Sequence, residues 1–437
     1  MTAKLRFFWA RLNANYWFFP GLFAVLAALL ATAMVALDHA GVADALDLER
    51  WIVPIRPTGA ADFLSVMASA TIGVASTVFS ITLVAVTYAS GTYGPRLLTN
   101  FLEDKGNQIS LATFIAAFVY ALIVLRSVRS EDEGALGTLA GGSAAEGFAP
   151  QLSILVAYLL MAACVAVLVF FLNHVPTSIG INNVLRKIGK RLIEEVEETY
   201  PDAAGTAEAP GTAGGEPLLS GETGYVQLID FEGLAKVAGE CDAILSLKVR
   251  TGDFVHRDLP LLEVRGASPE ELAGKVRPCF TTGSSRTPAQ DPQFLIDELV
   301  EIGLRALSPG VNDPFTAITA LHWLGAATAE IGRRDLRKQV GGAEHGAARV
   351  IPLAADFAHF CERGFGSIRS AVAASPNAVM VMLDALANAA TPLADPQRRA
   401  VLRGHGDLLI DQARSALTGP DLAKVEQAYR QFARALA

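Results

Sequence analysis

Residues 63–95 read FLSVMASATIGVASTVFSITLVAVTYASGTYGP, an apolar run with no charged residue between Leu64 and Ala89. At about 1.5 Å of helix rise per residue, some twenty such residues match the hydrocarbon thickness of a bilayer, so a membrane-spanning helix is expected here. Its apolar character is interrupted in a regular way. Ser69, Gly73, Ser76, Ser80, Thr87 and Gly91 recur every three to four residues or a multiple of that, which places them near one face, with Leu83 as the exception. The other faces carry Leu64, Met67, Val74, Val78, Phe79, Ile81 and Val86, which suit lipid or neighbouring helices.

That small and polar face has two readings. Ser76 and Ser80 form a small-xxx-small pair, extended by Gly73 and Ser69, and such residues let two helix backbones approach closely. The same hydroxyls suit the wall of a narrow aqueous path, replacing part of a permeant's hydration. An intramembrane charge, the usual mark of a proton relay or counter-ion site, is absent from this segment. The sequence leaves packing face and pore face both open.

Working outward, three further apolar runs give spans at about 16–37, 109–125 and 152–172, beside 63–89 for the second. The third is at the short limit, and the second is long enough to tilt or protrude. Lys4, Arg6 and Arg11 precede the first run, and Ala31-Thr32-Ala33 resembles a cleavage site. The run is nonetheless long enough to span, so an uncleaved first helix is expected, with Tyr16 and Trp17 as interfacial anchors. Lys and Arg concentrate at Lys4, Arg6, Arg11, Arg96, Lys105, Arg186, Lys187, Lys190 and Arg191, on the side that the even-numbered crossings share with the N-terminus. Both termini are therefore expected in the cytoplasm of a bacterial cell, with the spans in its inner membrane. Residues 97–102 resume at helical spacing through Leu97, Leu98, Phe101 and Leu102, which reads equally as an amphipathic surface helix or as an ordered connector. The outer loop 127–150 is rich in Gly, Ala and Ser and is expected to be mobile.

Residues 174–200 read as a helix, basic first and acidic later, and 202–217 as an Ala/Gly/Pro/Glu linker. Beyond it the period changes to two: Leu245, Leu247 and Val249 alternate with Ser246, Lys248 and Arg250, a half-buried strand, and Thr251-Gly252-Asp253 supplies a turn before Phe254-Val255. Short strands at 225–229 and 261–264 and a brief helix near 231–238 complete a β-rich module. From Asp291 onward the chain is expected to be helical. Leu295, Ile296, Leu299, Val300, Ile302 and Leu307 form its first apolar side, with Asp297, Glu298, Glu301 and Arg305 facing elsewhere. Asp313-Pro314 reads as a helix start, as do Ser375-Pro376, Asp395-Pro396 and Gly419-Pro420.

The expected fold class is thus an α-helical membrane protein with four transmembrane helices, followed by a cytosolic α+β region. Its domains run over 1–190 (membrane), 191–217 (helix end and flexible linker), 218–280 (β-rich module) and 281–437 (helical bundle). Composition agrees: 51% of the 437 residues are hydrophobic. Net charge is −8, from 36 basic and 44 acidic residues without a long basic run, which argues against nucleic acid as a partner. Cys164, Cys241, Cys279 and Cys361 are scattered and form no CxxC or His/Cys cluster, so neither a metal site nor a disulfide framework is read, and no cofactor is implied.

The run RALSPGVNDPFTA at 305–317, with Phe79-Ser80-Ile81-Thr82, Pro95-Arg96-Leu97-Leu98 and Gly224-Tyr225-Val226-Gln227, resembles the bacterial DUF2254 predicted membrane protein family over nearly the whole chain. The resemblance implies an N-terminal membrane region and a cytosolic C-terminal domain, and it carries no established activity.

Two candidate sites follow. One is the face Ser69, Gly73, Ser76, Ser80 and Thr87, for a pore or for helix packing. The other is a polar group at Glu298, Glu301, Arg305, Asn312 and Asp313, whose oxygens suit a hard cation but whose spacing matches no calcium loop. Capping and ion pairing are the simpler reading for that second group. No P-loop, nucleophile elbow, zinc-protease or dinucleotide motif appears, and none of the seven histidines shows a partner in sequence, His174 reading as a solvated interface residue. An enzyme is not expected. The leading expectation is a channel-like or transport-like oligomer with a cytosolic regulatory domain, its partners being the bilayer, further copies of the chain and an unidentified ion or small solute. The alternative is a membrane-anchored interaction or sensory protein without transport activity.

Overall fold

The computed structural model describes residues 15–42, 55–94, 104–129, 148–202, 214–337, 340 and 349–437. They fall into two compact units, one ending at Gly180 and one running from Ile181 to Ala437. The connector at 97–102 and most of the outer loop and linker lie outside the described residues.

The first unit holds α1 (Phe18–His39), α2 (Pro57–Tyr93), α3 (Lys105–Ser127) and α4 (Gln151–Ile179). All four are long and apolar enough to cross a membrane. The third span, short by its apolar run, is a 23-residue helix because Asp104 caps it, accepting from the Asn107 N–H at 3.3 Å. This helix is the hub of the bundle. In its most apolar window 56% of residues are buried, against 17%, 28% and 22% in α1, α2 and α4, and it packs on all three. Phe114, Tyr120, Met67 and Phe171 fill the centre, with Ala31, Ala117 and Ala121 at the close approaches. Trp17 is exposed as an interfacial anchor would be, but Tyr16 is buried against the Phe79 ring.

Polar contacts join the ends of these helices. Asp38, in the last turn of α1, accepts from the Leu152 and Ser153 N–H groups, each at 2.9 Å, and from the Ser153 hydroxyl at 2.6 Å. A carboxylate from one helix thus caps the N-terminus of another, satisfying donors that would otherwise be unpaired in an apolar setting. The Tyr120 hydroxyl donates to the Ser153 carbonyl at 3.0 Å. At the other end of α4, His174 Nε2 lies 2.7 Å from Asp104 Oδ1. The solvated histidine expected from sequence is instead a partner to the α3 cap, because the chain brings two positions 70 residues apart to one end of the bundle.

The second unit begins with α5 (Ile181–Thr199), so the helix expected over 174–200 is broken at Gly180. Then follow β1 (Glu216–Leu219), β2 (Gly224–Ile229), α6 (Phe231–Glu240), β3 (Ile244–Leu247), β4 (Phe254–Val255), β5 (Pro260–Arg265), α7 (Pro269–Val276) and β6 (Phe280–Gly283). They form two small sheets in the orders β1-β5-β3-β7 and β4-β2-β6, every pairing antiparallel except β3 with β7 (Val350–Ile351). Leu218, Val226, Leu245, Leu247, Leu262 and Val264 face a shared core. Gly252 makes the expected turn with φ +94°, a conformation in which a Cβ is strained. The chain expected to be wholly helical after Asp291 contributes β7, whose two residues are too short to leave a period in the sequence.

The rest of the unit is a helical bundle of α8 (Pro292–Ala306), α9 (Pro314–Arg333), α10 (Phe357–Cys361), a π-turn at Glu362–Gly366, α11 (Ser367–Val372), α12 (Pro376–Ala390), α13 (Pro396–Ala416) and α14 (Gly419–Ala435). Three of them start alike: Asp291, Asp313 and Asp395 each precede a proline and accept from a first-turn backbone N–H, that of Phe294, Thr316 and Gln397 respectively. A capping carboxylate followed by proline fixes both the missing acceptor and the first helical φ.

Candidate functional site

On α2 the buried residues are Ala60, Leu64, Met67, Ala68, Thr71, Ala75, Val78, Thr82, Val86 and Ala89. Their spacing of three and four residues is that of a helix seam, and α3 and α4 pack on it. The buried hydroxyls of Thr71 and Thr82 donate back to the Met67 and Val78 carbonyls at 2.8 Å, which makes them compatible with an apolar seam.

Ser69, Gly73, Ser76, Ser80 and Thr87 are all exposed, as is Gly91. At about 100° per residue their face lies roughly 180° around the helix from the seam. Gly73 and Gly91 have no neighbouring atoms in the space a Cβ would take. The Ser80 and Thr87 hydroxyls donate to the Ser76 and Leu83 carbonyls, both at 2.8 Å, leaving their oxygen lone pairs outward. Beside this face, Gly73 and Thr77 of α2 with Phe171 and Leu172 of α4 border a groove of about 380 Å³. Among the described residues, no helix of the same unit covers the small-residue face.

The second group is not assembled into one pocket. Asn312 and the turn before it hold the backbone: Asp313 N–H donates to the Ala306 carbonyl at 2.7 Å, and Asn312, at φ +49°, donates to the Ser308 carbonyl at 2.9 Å. Asp313 caps α9 and also accepts from the Thr316 hydroxyl at 2.6 Å. Arg305 and Glu301 pair at 3.4 Å on the α8 surface. Glu298, expected on an outer face, is only 2% exposed, because α8 is enclosed by α5, α9 and the π-turn. Around the turn between α8 and α9, Leu304, Val311 and Phe315 are exposed, the last by 72%.

The polar cluster that the fold does assemble was not legible in the sequence. Arg286 donates through Nε and Nη2 to Asp291 Oδ2, at 3.1 and 2.6 Å, and through Nη1 to Asp297 at 2.5 Å. From the π-turn, Arg363 donates to both Asp297 oxygens, at 2.6 and 2.7 Å, and to Gln293 Oε1 at 2.9 Å. Asp291 is 1% exposed. Burial pushes its carboxyl above the ordinary range against the pull of Arg286, whereas at Asp297 hydrogen bonds and charge from Arg363 and Arg286 outweigh burial and hold the carboxyl low. Arg363 is 66 residues from Asp297, and only the Asp291-Pro292 cap was a local signal. Among the described residues, no group of three or more His, Cys, Asp or Glu side chains could hold a metal.

Four apolar helices tied together by polar contacts at their ends, followed by a mixed helical and sheet unit, make up the architecture of a multi-span membrane protein. The chain belongs to the DUF2254 predicted membrane protein family, whose model matches residues 13–388. Uncharacterized proteins of Mycobacterium bovis and Mycobacterium tuberculosis are each 29% identical over 368 residues, covering 82% of this chain and 68% of the relative. No solved structure matches.

Proposed function

We propose that the protein is a channel-like or transport-like homo-oligomer of the bacterial inner membrane, with α2 near the shared axis, both termini cytoplasmic and the C-terminal unit regulating opening. The observation that carries this reading is the position of the small-residue face, roughly half a turn from the seam that α2 uses within its own bundle. A face of Gly, Ser and Thr exposed toward lipid has nothing to gain there, while the same face against further copies allows close approach or lines a polar path. Three helices pack around α3 and the small-residue face of α2 points away from them, which supports a path shared between several copies. The permeant is a small ion or solute of unspecified kind.

Native mass spectrometry of the detergent-solubilised complex tests the geometry. A ring of four or more copies is expected, and conductance or flux should then fall when Ser76 and Ser80 are replaced together by Leu. A monomer, or a dimer without a cavity, sinks the shared pore and favours the membrane-anchored interaction or sensory protein. Unchanged flux in the double variant would leave the face as a packing surface only.

A further inference from the structure

Within the C-terminal unit a cleft opens between the β3 end, the end of α5 and the start of α8, with about 520 Å³ of empty space when the adjoining open solvent is included. The part open to water-sized occupants is about 50 Å³. One water needs about 10–15 Å³ on this measure, so the inner cleft has room for a few waters or one compact polar head.

Its polar lining is one-sided. Arg250 Nε is buried and has no hydrogen-bond partner, while Nη2 of the same guanidinium donates to the Ala354 carbonyl at 2.5 Å. Gln290 Oε1 accepts from the Ile229 N–H at 3.3 Å and Gln293 Oε1 accepts from Arg363, which leaves the Nε2 donors of both amides unused among the described residues. Gln290 holds this place at φ +57°, a conformation rare outside glycine. Tyr200 is 7% exposed and lines the same cleft. Burial pushes that phenol up to about 12, so it stays a donor at neutral pH. The acceptors nearby are engaged: Asp291 Oδ2 takes two bonds from Arg286 and Oδ1 takes the Phe294 N–H. The guanidiniums of Arg286 and Arg363 balance the two carboxylates of Asp291 and Asp297, and the Arg250 guanidinium takes no part in that pairing.

A buried charged donor without a partner is costly, and such a group marks a missing acceptor. The rest of the lining is largely apolar and includes Phe231, Leu353 and Phe360. We propose that this cleft binds a small organic anion, its carboxylate or phosphate head received by Arg250, Tyr200, Gln290 and Gln293 and its apolar body lying against Phe231, Leu353 and Phe360. Apolar walls with a few convergent polar groups are the usual make-up of small-molecule sites. The inference is independent of whether the membrane unit conducts.

Calorimetric titration of the full chain in detergent tests it, with phenyl phosphate and benzoate as probes, inorganic phosphate to separate head from body, and benzyl alcohol as the neutral analogue. At least one organic anion is expected to bind saturably, at least tenfold tighter than inorganic phosphate and than benzyl alcohol. Gln293→Glu keeps the acceptor for Arg363 and so keeps the fold, but it turns an outward donor into a carboxylate, and it should weaken binding at least tenfold. Arg250→Met should do the same, while Lys248→Met, which removes a positive charge paired with Glu263 elsewhere on the module, should change binding less than twofold. Absence of saturable binding of both organic anions up to millimolar concentration, equal binding of the neutral alcohol or of inorganic phosphate, or wild-type affinity in Gln293→Glu overturns the proposal.

Discussion

Asp104 Oδ1 and His174 Nε2 lie 2.7 Å apart, joining the cap of α3 to the last turns of α4. Gly106 sits directly under this contact, and a Cβ there would overlap the His174 ring. Alanine is normally the better helix residue by about 1 kcal/mol, so a loss of stability in Gly106→Ala would report the overlap rather than propensity. Asp104→Ala, which removes both the cap and the histidine partner, should lower stability by about 1–2 kcal/mol, and Asp104→Asn, which retains the cap, by less. Thermal unfolding of the detergent-solubilised chain orders the three variants.

The two faces of α2 should respond in opposite ways to the same kind of substitution. Ala75 is 3% exposed in the seam, so Ala75→Leu should overpack it and destabilise the monomer by about 1–3 kcal/mol. Gly73 faces open space, so Gly73→Leu should leave the unfolding of the monomer nearly unchanged and lower the mass of the native assembly. Unfolding curves and native mass spectra of the two variants separate a seam from an intersubunit face.

Asp297 stands between two guanidiniums with a side chain 14% exposed. Replacing it by Asn leaves Arg286 and Arg363 without their shared counter-charge and should cost about 3–5 kcal/mol. Its folded pKa lies below the ordinary 3.8, so the stability it contributes is present above that value and is lost as pH falls through the lower folded value. Urea unfolding followed by Trp323 fluorescence should show this part of the acid dependence in the wild type and not in Asp297→Asn.

Gly189 is the close approach of α5 to α9, where a Cβ would overlap the Trp323 indole. A rigid ring in a packed interface cannot swing aside without opening a void, so Gly189→Ala should destabilise the C-terminal unit by about 1–3 kcal/mol despite the better helix residue. The same Trp323 emission should shift to the red in the variant.

Much of the molecule was legible because it is written in short-range signals. Apolar runs long enough for a bilayer gave four helices, alternation gave β3, and Asp-Pro pairs gave the starts of α9 and α13. What periodicity could not supply was any pairing at long range. β7 has two residues and pairs with β3 about a hundred positions away, and Arg363 reaches Asp297 from a π-turn whose i+5 bonding leaves no pattern. His174 was read as solvated because its partner is 70 residues earlier, and Glu298 as outward because the helices that enclose α8 come from elsewhere in the chain. By itself the sequence determined that this chain has four membrane-length helices and a mixed helical and sheet unit, and that one face of the second helix differs from the rest. Only the tertiary structure decided which face of that helix is buried and which guanidiniums meet which carboxylates. Burial and charge pairing depend on what distant segments bring to the same place, and a local pattern holds no record of that.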